Sequence, residues 1–225
     1  PNNELKAGFG NSFLCEYPEN LFLFDVGWNY SVLSYNLHAL GIDSSQIKTM
    51  IFSHGHRDHT GALPSFLSAR TNAPPLQIYL HPAAMTAKVA KKLKCLRINM
   101  SLPTIPFDSG NQIEWHYITN PEQITPFFWI SGEIKERKEK ISISPNLLHK
   151  VENHWQQDPL LGDMSLIFLS PKGLILLCGC GHAGLLNICA HATRVVPNHP
   201  IHAIIGGLHL GDYTTAEIHD LSQKL

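Results

Sequence analysis

His54-Gly55-His56-Arg57-Asp58-His59 follows directly on Lys48–Ser53 (KTMIFS), an apolar run with the length and composition of a buried strand. The end of a strand is a rigid launching point, and a short loop beyond it leaves side chains free to converge. His54 and His56 stand at alternate positions, so both can point to one side and share an ion. Asp58 and His59 lie half a turn further on and can serve a second ion beside it. Imidazole suits zinc, iron and related metals, and the carboxylate adds the negative charge that holds two cations close together. A chance cluster of surface histidines is the competing explanation. The chain holds fourteen histidines in 225 residues. At its own residue frequencies the pattern is expected only about 0.002 times.

Upstream of this loop, β-type runs at Ser12–Glu16 and Leu21–Val26 flank Tyr17-Pro18-Glu19-Asn20, a hairpin signal. A helical pattern through Val32, Leu33, Tyr35, Leu37 and Leu40 then ends at Gly41. Downstream, Thr60-Gly61-Ala62-Leu63 opens a helix towards Arg70, and Gln77–Leu80 reads as a strand. Pro82–Lys94 reads as a helix with Pro82 at its first position. Gln112–Ile118 and Phe127–Ser131 read as further strands. From Glu133 to Asp163 regularity is lost, around the charge run EIKERKEK. This is expected to be a long exposed excursion, a solvated loop or substrate-gating insert rather than a basic patch. Strands return at Met164–Leu169 and Leu174–Cys178, joined by Pro171-Lys172-Gly173. A helix follows Gly181-His182-Ala183-Gly184. A last strand, His202–Ile205, leads to Gly206-Gly207-Leu208-His209-Leu210, and Thr214 and Thr215 start a terminal helix. Alternating strands and helices with interspersed hairpins point to a layered α/β sandwich with mixed sheets.

Composition sets the outer bounds. Hydrophobic residues at 44% and charged residues at 16% describe a chain that buries a sizeable core and is not generally disordered. Seventeen Lys and Arg against eighteen Asp and Glu leave a net charge of -1, so no nucleic-acid partner is expected and a nuclease is disfavoured. Five cysteines without a C-x-x-C pair suggest a reducing interior. No leader-like segment opens the chain. The stretch Gly173 to Ala192 carries no charge, but its glycines, His182 and Asn187 make it a strand, turn and helix rather than a membrane span. A cytoplasmic protein with no membrane contact is expected. Pro1 without a methionine, and an end at Leu225 inside a helical pattern, suggest truncation at both ends.

A strand ending in H-x-H-x-D-H resembles the metallo-β-lactamase superfamily, and Leu21–Gly27 (LFLFDVG) resembles its preceding element. The resemblance extends over essentially the whole chain. It implies a single domain over 1–225 with an exposed insert around 133–163, folded as an αββα sandwich with two mixed β-sheets. It also implies that Asp25 orders the metal loop; the residues alone equally allow a helix or turn cap. Cys178-Gly179-Cys180-Gly181-His182-Ala183-Gly184 with Asn187, and Ile204-Ile205-Gly206-Gly207-Leu208-His209-Leu210, resemble one branch. That branch contains dihydropterin-type synthases of methanopterin biosynthesis and uncharacterised metal-dependent hydrolases. Asn2-Asn3 and Ser131-Gly132-Glu133-Ile134 resemble it too, while the following KERK departs from its pattern.

His182 and His209 each follow an apolar strand through a glycine-bearing turn, and beside the metal loop both become expected ligands. No upstream Gly-His-Thr-like motif exists, which leaves His182 as the third ligand of the first ion. Cys180 stands where the superfamily has a bridging Asp; its thiolate could bind or bridge, or the residue could simply fill space. Asp163 is a weaker substitute carboxylate, with a cap or turn role preferred. His81 follows a strand on the metal-loop side and could line the cleft. His38, His116, His149, His154, His191, His199, His202 and His219 lack convergent partners, so surface or packing roles suit them.

The resemblance implies a metal-dependent hydrolase with two divalent ions, zinc first and iron or manganese as alternatives. Such ions lower the pKa of water from 15.7 towards ~7 and polarise an ester or phosphate-bearing small molecule. Asp58 would orient the hydroxide and accept a proton. The alternative within the branch is a dihydropterin ribofuranosylaminobenzene 5'-phosphate synthase-like transferase that displaces a phosphate-type leaving group. A non-catalytic metal-binding or ligand-sensing module is the alternative of another class, and a homo-oligomer is left open.

Overall fold

Phe22, Leu23 and Phe24 show why the apolar runs of this chain are unbroken rather than alternating. In a strand, successive side chains face opposite ways. Phe22 and Phe24 enter a core shared with Ile51, Ile130, Met164 and Leu166. Leu23 enters another with Met50, Phe66 and Ile78. A strand covered on both faces needs apolar residues at every position. The same split recurs at Leu166 and Ile167, and at Leu177 and Leu176.

The computed structural model describes residues 4–17, 20–71, 73–92, 96–105, 113–141 and 143–225. Its first half runs β1 (Phe13–Tyr17), β2 (Asn20–Phe24), α1 (Tyr30–Ala39), β3 (Thr49–Ile51), α2 (Arg57–Thr60), α3 (Leu63–Ala69) and β4 (Leu76–Leu80). β5 (Lys88–Lys91), β6 (Arg97–Asn99), β7 (Ile113–Tyr117), β8 (Glu122–Thr125) and β9 (Phe128–Ile130) follow. The remainder is β10 (Leu147–Val151), β11 (His154–Gln157), β12 (Ser165–Ser170), β13 (Gly173–Cys178), α4 (Leu185–Val195), β14 (Ile201–Gly206) and α5 (Thr215–Lys224).

One sheet has the order β1-β2-β3-β4-β7 and another β14-β13-β12-β9-β8. Both are mixed: β2, β3, β4 and β7 run parallel beside an antiparallel β1, and β13 pairs parallel with β14 but antiparallel with β12. Helices α1 and α3 pack against the outer face of the first sheet, and α4 against that of the second. The expected αββα sandwich is therefore the observed one, with a third, wholly antiparallel sheet β11-β10-β5-β6 added to it.

That third sheet corrects two expectations. The helix expected over Pro82–Lys94 is a 3-10 turn at Pro82–Met85 followed by β5. Pro82 does open the turn, but the Thr86 hydroxyl and the Lys88 ammonium both donate to the Ala83 carbonyl, and β5 then pairs with β10. The region 133–163 is not simply a solvated loop: Ile134 and Asp158 are buried, and β10 and β11 form a hairpin within it. Asn2, Asn3, Pro18, Glu19, Lys94 and Gln112, which carry parts of the sequence reading, lie outside the described residues. Among the described residues, no helix is long and apolar enough to cross a membrane.

Candidate metal centre

The metal loop is built around Asp25. This residue ends the apolar run of β2 with φ 58, a left-handed conformation that asparagine and aspartate tolerate better than most residues. Its carboxylate is wholly buried. Oδ1 accepts the Ser53 backbone N–H at 2.8 Å, and Oδ2 accepts the Ser53 hydroxyl at 2.7 Å. Oδ2 also lies 2.7 Å from His59 Nδ1. The Ser53 hydroxyl, donating to Asp25, is left to accept from His54 Nδ1 at 2.9 Å. One carboxylate thus puts a proton on the Nδ1 of both His54 and His59, directly or through Ser53. Both Nε2 atoms then turn inward.

His54 Nε2 lies 3.0 Å from His56 Nδ1. The His54 ring centroid is 4.3 Å from that of His59 and 5.1 Å from that of His182, and His182 lies 4.3 Å from His209. Ligand atoms of His54, His56 and His182 fall within 4.8 Å of one another, as do those of His54, His59 and Cys180, and those of Cys180, His182 and His209. Asp58 Oδ2 is 3.6 Å from His59 Nε2, and Asp58 Oδ1 is buried with no hydrogen-bond partner among the described residues. The structure therefore brings together His54, His56, Asp58, His59, Cys180, His182 and His209.

The second sheet delivers its share of this cluster through close backbone approach. At Gly179 a Cβ would stand 2.1 Å from Ser53 Oγ and 2.7 Å from Asp25 Oδ2, so only glycine lets the Cys180 turn reach the metal loop. His209 adopts φ 46, a conformation costly for a non-glycine residue and often found where function holds it.

Burial pushes the His54 and His56 pKa values well down, and the neighbouring imidazoles push them further. Both rings are neutral, as ligands must be. Burial also opposes charge on His59, but Asp25 and its hydrogen bond outweigh it and hold that pKa well above the usual value. Burial raises the Cys180 thiol, against its contact with His59. Nitrogen, sulfur and carboxylate donors of this kind, with Asp58 Oδ1 buried and unpartnered among the described residues, fit a divalent first-row cation.

Two expected site residues do not join the cluster. Asp163 turns Oδ2 to the Ala183 N–H at 2.7 Å and so ties down the turn that carries His182. His81 caps the 3-10 turn, its Nδ1 accepting from Ala83 N–H at 3.1 Å, and its Nε2 stands 3.8 Å from Glu133 Oε2. Two residues that the sequence reading did not single out stand beside the cluster. Asp158 Oδ2 is 4.0 Å from His56 Nε2, and the buried Lys88 is close enough to depress the pKa values of His54 and His56. Neither has a local motif: the pairing of β5 with β10 places Lys88, and the β10–β11 hairpin places Asp158.

Residues 5–106, which carry the whole metal loop, match the family model described as the metallo-β-lactamase superfamily. A solved metal-dependent hydrolase of the β-lactamase superfamily superposes at TM-score 0.72 with 20% identity, covering 91% of this chain and 75% of its own. The half of the chain that carries the metal loop is similar to the metallo-β-lactamase superfamily. A further member, a metallo-β-lactamase bound to 2-mercaptoethanesulfonate, superposes at TM-score 0.51 with 12% identity over 98% of this chain and 82% of its own. A curated relative from Methanocaldococcus jannaschii is 28% identical over 222 residues, 94% of this chain and 74% of its own length. Its name is 7,8-dihydropterin-6-methyl-4-(β-D-ribofuranosyl)-aminobenzene-5'-phosphate synthase.

Proposed function

We propose that this chain is a metallo-β-lactamase superfamily enzyme that holds two divalent cations, zinc first, and hydrolyses an ester or phosphate-bearing small molecule. The observation that carries this reading is the set of overlapping ligand groups, each within 4.8 Å, drawn from the loops of both sheets. His54, His56 and His182 would hold one cation, and Asp58, His59 and His209 the other, with Cys180 between them. When bound, the cations supply a water acidic enough to ionise near neutrality and a Lewis acid for a carbonyl or phosphoryl oxygen.

The chain's own residues do the rest. Asp25 holds His54 and His59 in the tautomers that leave their Nε2 atoms open. Burial keeps His54 and His56 neutral and excludes bulk water from their inner side. Asp58, part-exposed with one buried oxygen unpartnered, is the group placed to orient a nucleophile and accept its proton.

The relative of 28% identity over 94% of the chain favours a second reading, a synthase-like transferase that displaces a phosphate-type leaving group. Metal analysis and an activity screen separate these. About two equivalents of metal with turnover of phosphodiesters or esters, lost in His56→Ala, supports the hydrolase. Turnover confined to formation of the relative's named product supports the transferase. Tightly bound metal without either activity points to a binding or sensing module, and less than one equivalent, or full activity in His56→Ala, removes the catalytic reading.

A further inference from the structure

We infer that Asp158 is a positioning residue for the metal centre: its carboxylate takes the outward N–H of His56 and so holds that imidazole in the ligating orientation. The inference rests on the proposed metal centre and adds to it a residue from outside the two main sheets.

The three histidines of the metal loop each have one nitrogen facing inward and one facing out. Two outward nitrogens are accounted for: His54 Nδ1 meets the Ser53 hydroxyl at 2.9 Å, and His59 Nδ1 meets Asp25 at 2.7 Å. His56 is turned the other way. Its Nδ1 faces His54 Nε2 at 3.0 Å, so its outward atom is Nε2. That atom is buried and has no hydrogen-bond partner among the described residues. Opposite it, at 4.0 Å, lies Asp158 Oδ2, which is also buried and also without a partner among the described residues.

A buried donor and a buried acceptor rarely stay unsatisfied in a folded chain. Here a closing movement of about 1 Å would satisfy both with one hydrogen bond. Asp158 is already held for it. Its N–H donates to the Leu147 carbonyl at 2.9 Å, and its Oδ1 accepts the Leu160 N–H at 2.9 Å, which leaves Oδ2 pointing at His56. The buried Lys88 ammonium offsets the carboxylate's charge without occupying Oδ2, since its own donors go to Ala83 O, Thr86 O and Thr86 Oγ1. A carboxylate behind a ligating imidazole fixes the tautomer and raises the basicity of the ligating nitrogen, and its loss commonly weakens metal binding about 10–100-fold.

Asp158 could instead serve only the turn, through Oδ1 and Leu160, and the test must separate the two roles. Asp158→Asn keeps the turn-forming oxygen but loses the charge, and Asp158→Ala loses both. Zinc affinity of the full chain is measured by competition with a chromophoric chelator, and thermal melting on the chelated protein. The expected result is an affinity about 10–100-fold weaker in Asp158→Asn, with chelated melting unchanged and shifted absorption bands in the cobalt-substituted protein. Wild-type zinc affinity in Asp158→Asn overturns the positioning role while leaving the metal centre standing, and so does a loss seen only in Asp158→Ala together with lower chelated melting. A wild-type chain that binds no zinc overturns the metal centre and this inference together.

Discussion

Asp25 accepts from three buried groups, the Ser53 N–H, the Ser53 hydroxyl and His59 Nδ1, of which the hydroxyl also meets His54 Nδ1. Removing one member of such a network strands the others, at a cost of about 3–5 kcal/mol. Asp25→Ala is therefore expected to lower the urea midpoint of the metal-free protein strongly. Asp25→Asn should cost less, because asparagine also tolerates φ 58 and keeps an acceptor. Equal midpoints for Asp25→Ala and wild type would show that the network contributes nothing. Asp163 makes a prediction of the opposite sign. Burial raises its carboxyl from 3.8 to about 6, against the Ala183 N–H and Arg137, which lower it. Between these values the native state binds more protons than the unfolded chain, so this carboxyl makes stability fall as pH rises from 4 to 6. The loss amounts to about 3 kcal/mol, present in full above pH 6. Asp163→Asn removes the titration, so its metal-free stability relative to wild type should climb over that window and then level off. A constant difference across the window would refute the assignment.

The two ends of the segment from 133 to 163 are tied to each other by Arg137, whose guanidinium donates to the carbonyls of Ile134, Pro159 and Leu160 at 2.9, 2.8 and 2.6 Å. Arg137→Ala leaves those carbonyls short of donors, and a loss of about 2–3 kcal/mol is expected, with faster tryptic cleavage within the segment. Arg137→Lys should not restore protection, because an ammonium cannot reproduce the planar fork. Unchanged cleavage in Arg137→Ala would mean that other contacts hold the segment. This region also marks where the sequence stops being legible. Strands buried on both faces announce themselves as apolar runs, and a ligand loop on such a strand is read from spacing, which is why β2, β3, β13 and the histidines after them are visible from sequence. β5 and β10 are half-buried strands that pair with each other across a long stretch of chain. Lys88 and Ala90 carry no alternation that distinguishes them from a helix, so Pro82–Lys94 reads as helical. Asp158 is set by the β10–β11 hairpin and has no local signal either, whereas Asp163 stands just before β12 and reads as a cap or turn residue.

At the scale of the whole molecule, the candidate ligands come from two bodies of structure. The first sheet supplies His54, His56, Asp58 and His59, and the loops after β13 and β14 supply Cys180, His182 and His209. Contacts that tie the two bodies together include Asn11 Nδ2 donating to Gly179 O at 2.7 Å, Met164 N–H donating to Ser53 O at 2.8 Å, and the shared apolar core around Phe24 and Leu166. A cation held by both sets acts as a further cross-link that exists only when the sheets are docked, and the unfolded chain cannot present it. Binding to the native state alone stabilises by about 2.7 kcal/mol at a hundredfold excess over Kd. For a chain of this size about 1 kcal/mol moves the melting temperature by roughly 2–4 °C. Zinc-loaded protein should therefore melt about 5–10 °C above the chelated form. His182→Ala and His56→Ala, which remove ligands from opposite sheets, should each abolish most of that difference while changing the chelated melting far less. If zinc raises the melting temperature of His182→Ala as much as that of wild type, the second sheet contributes no ligand there, and the centre belongs to the first sheet alone.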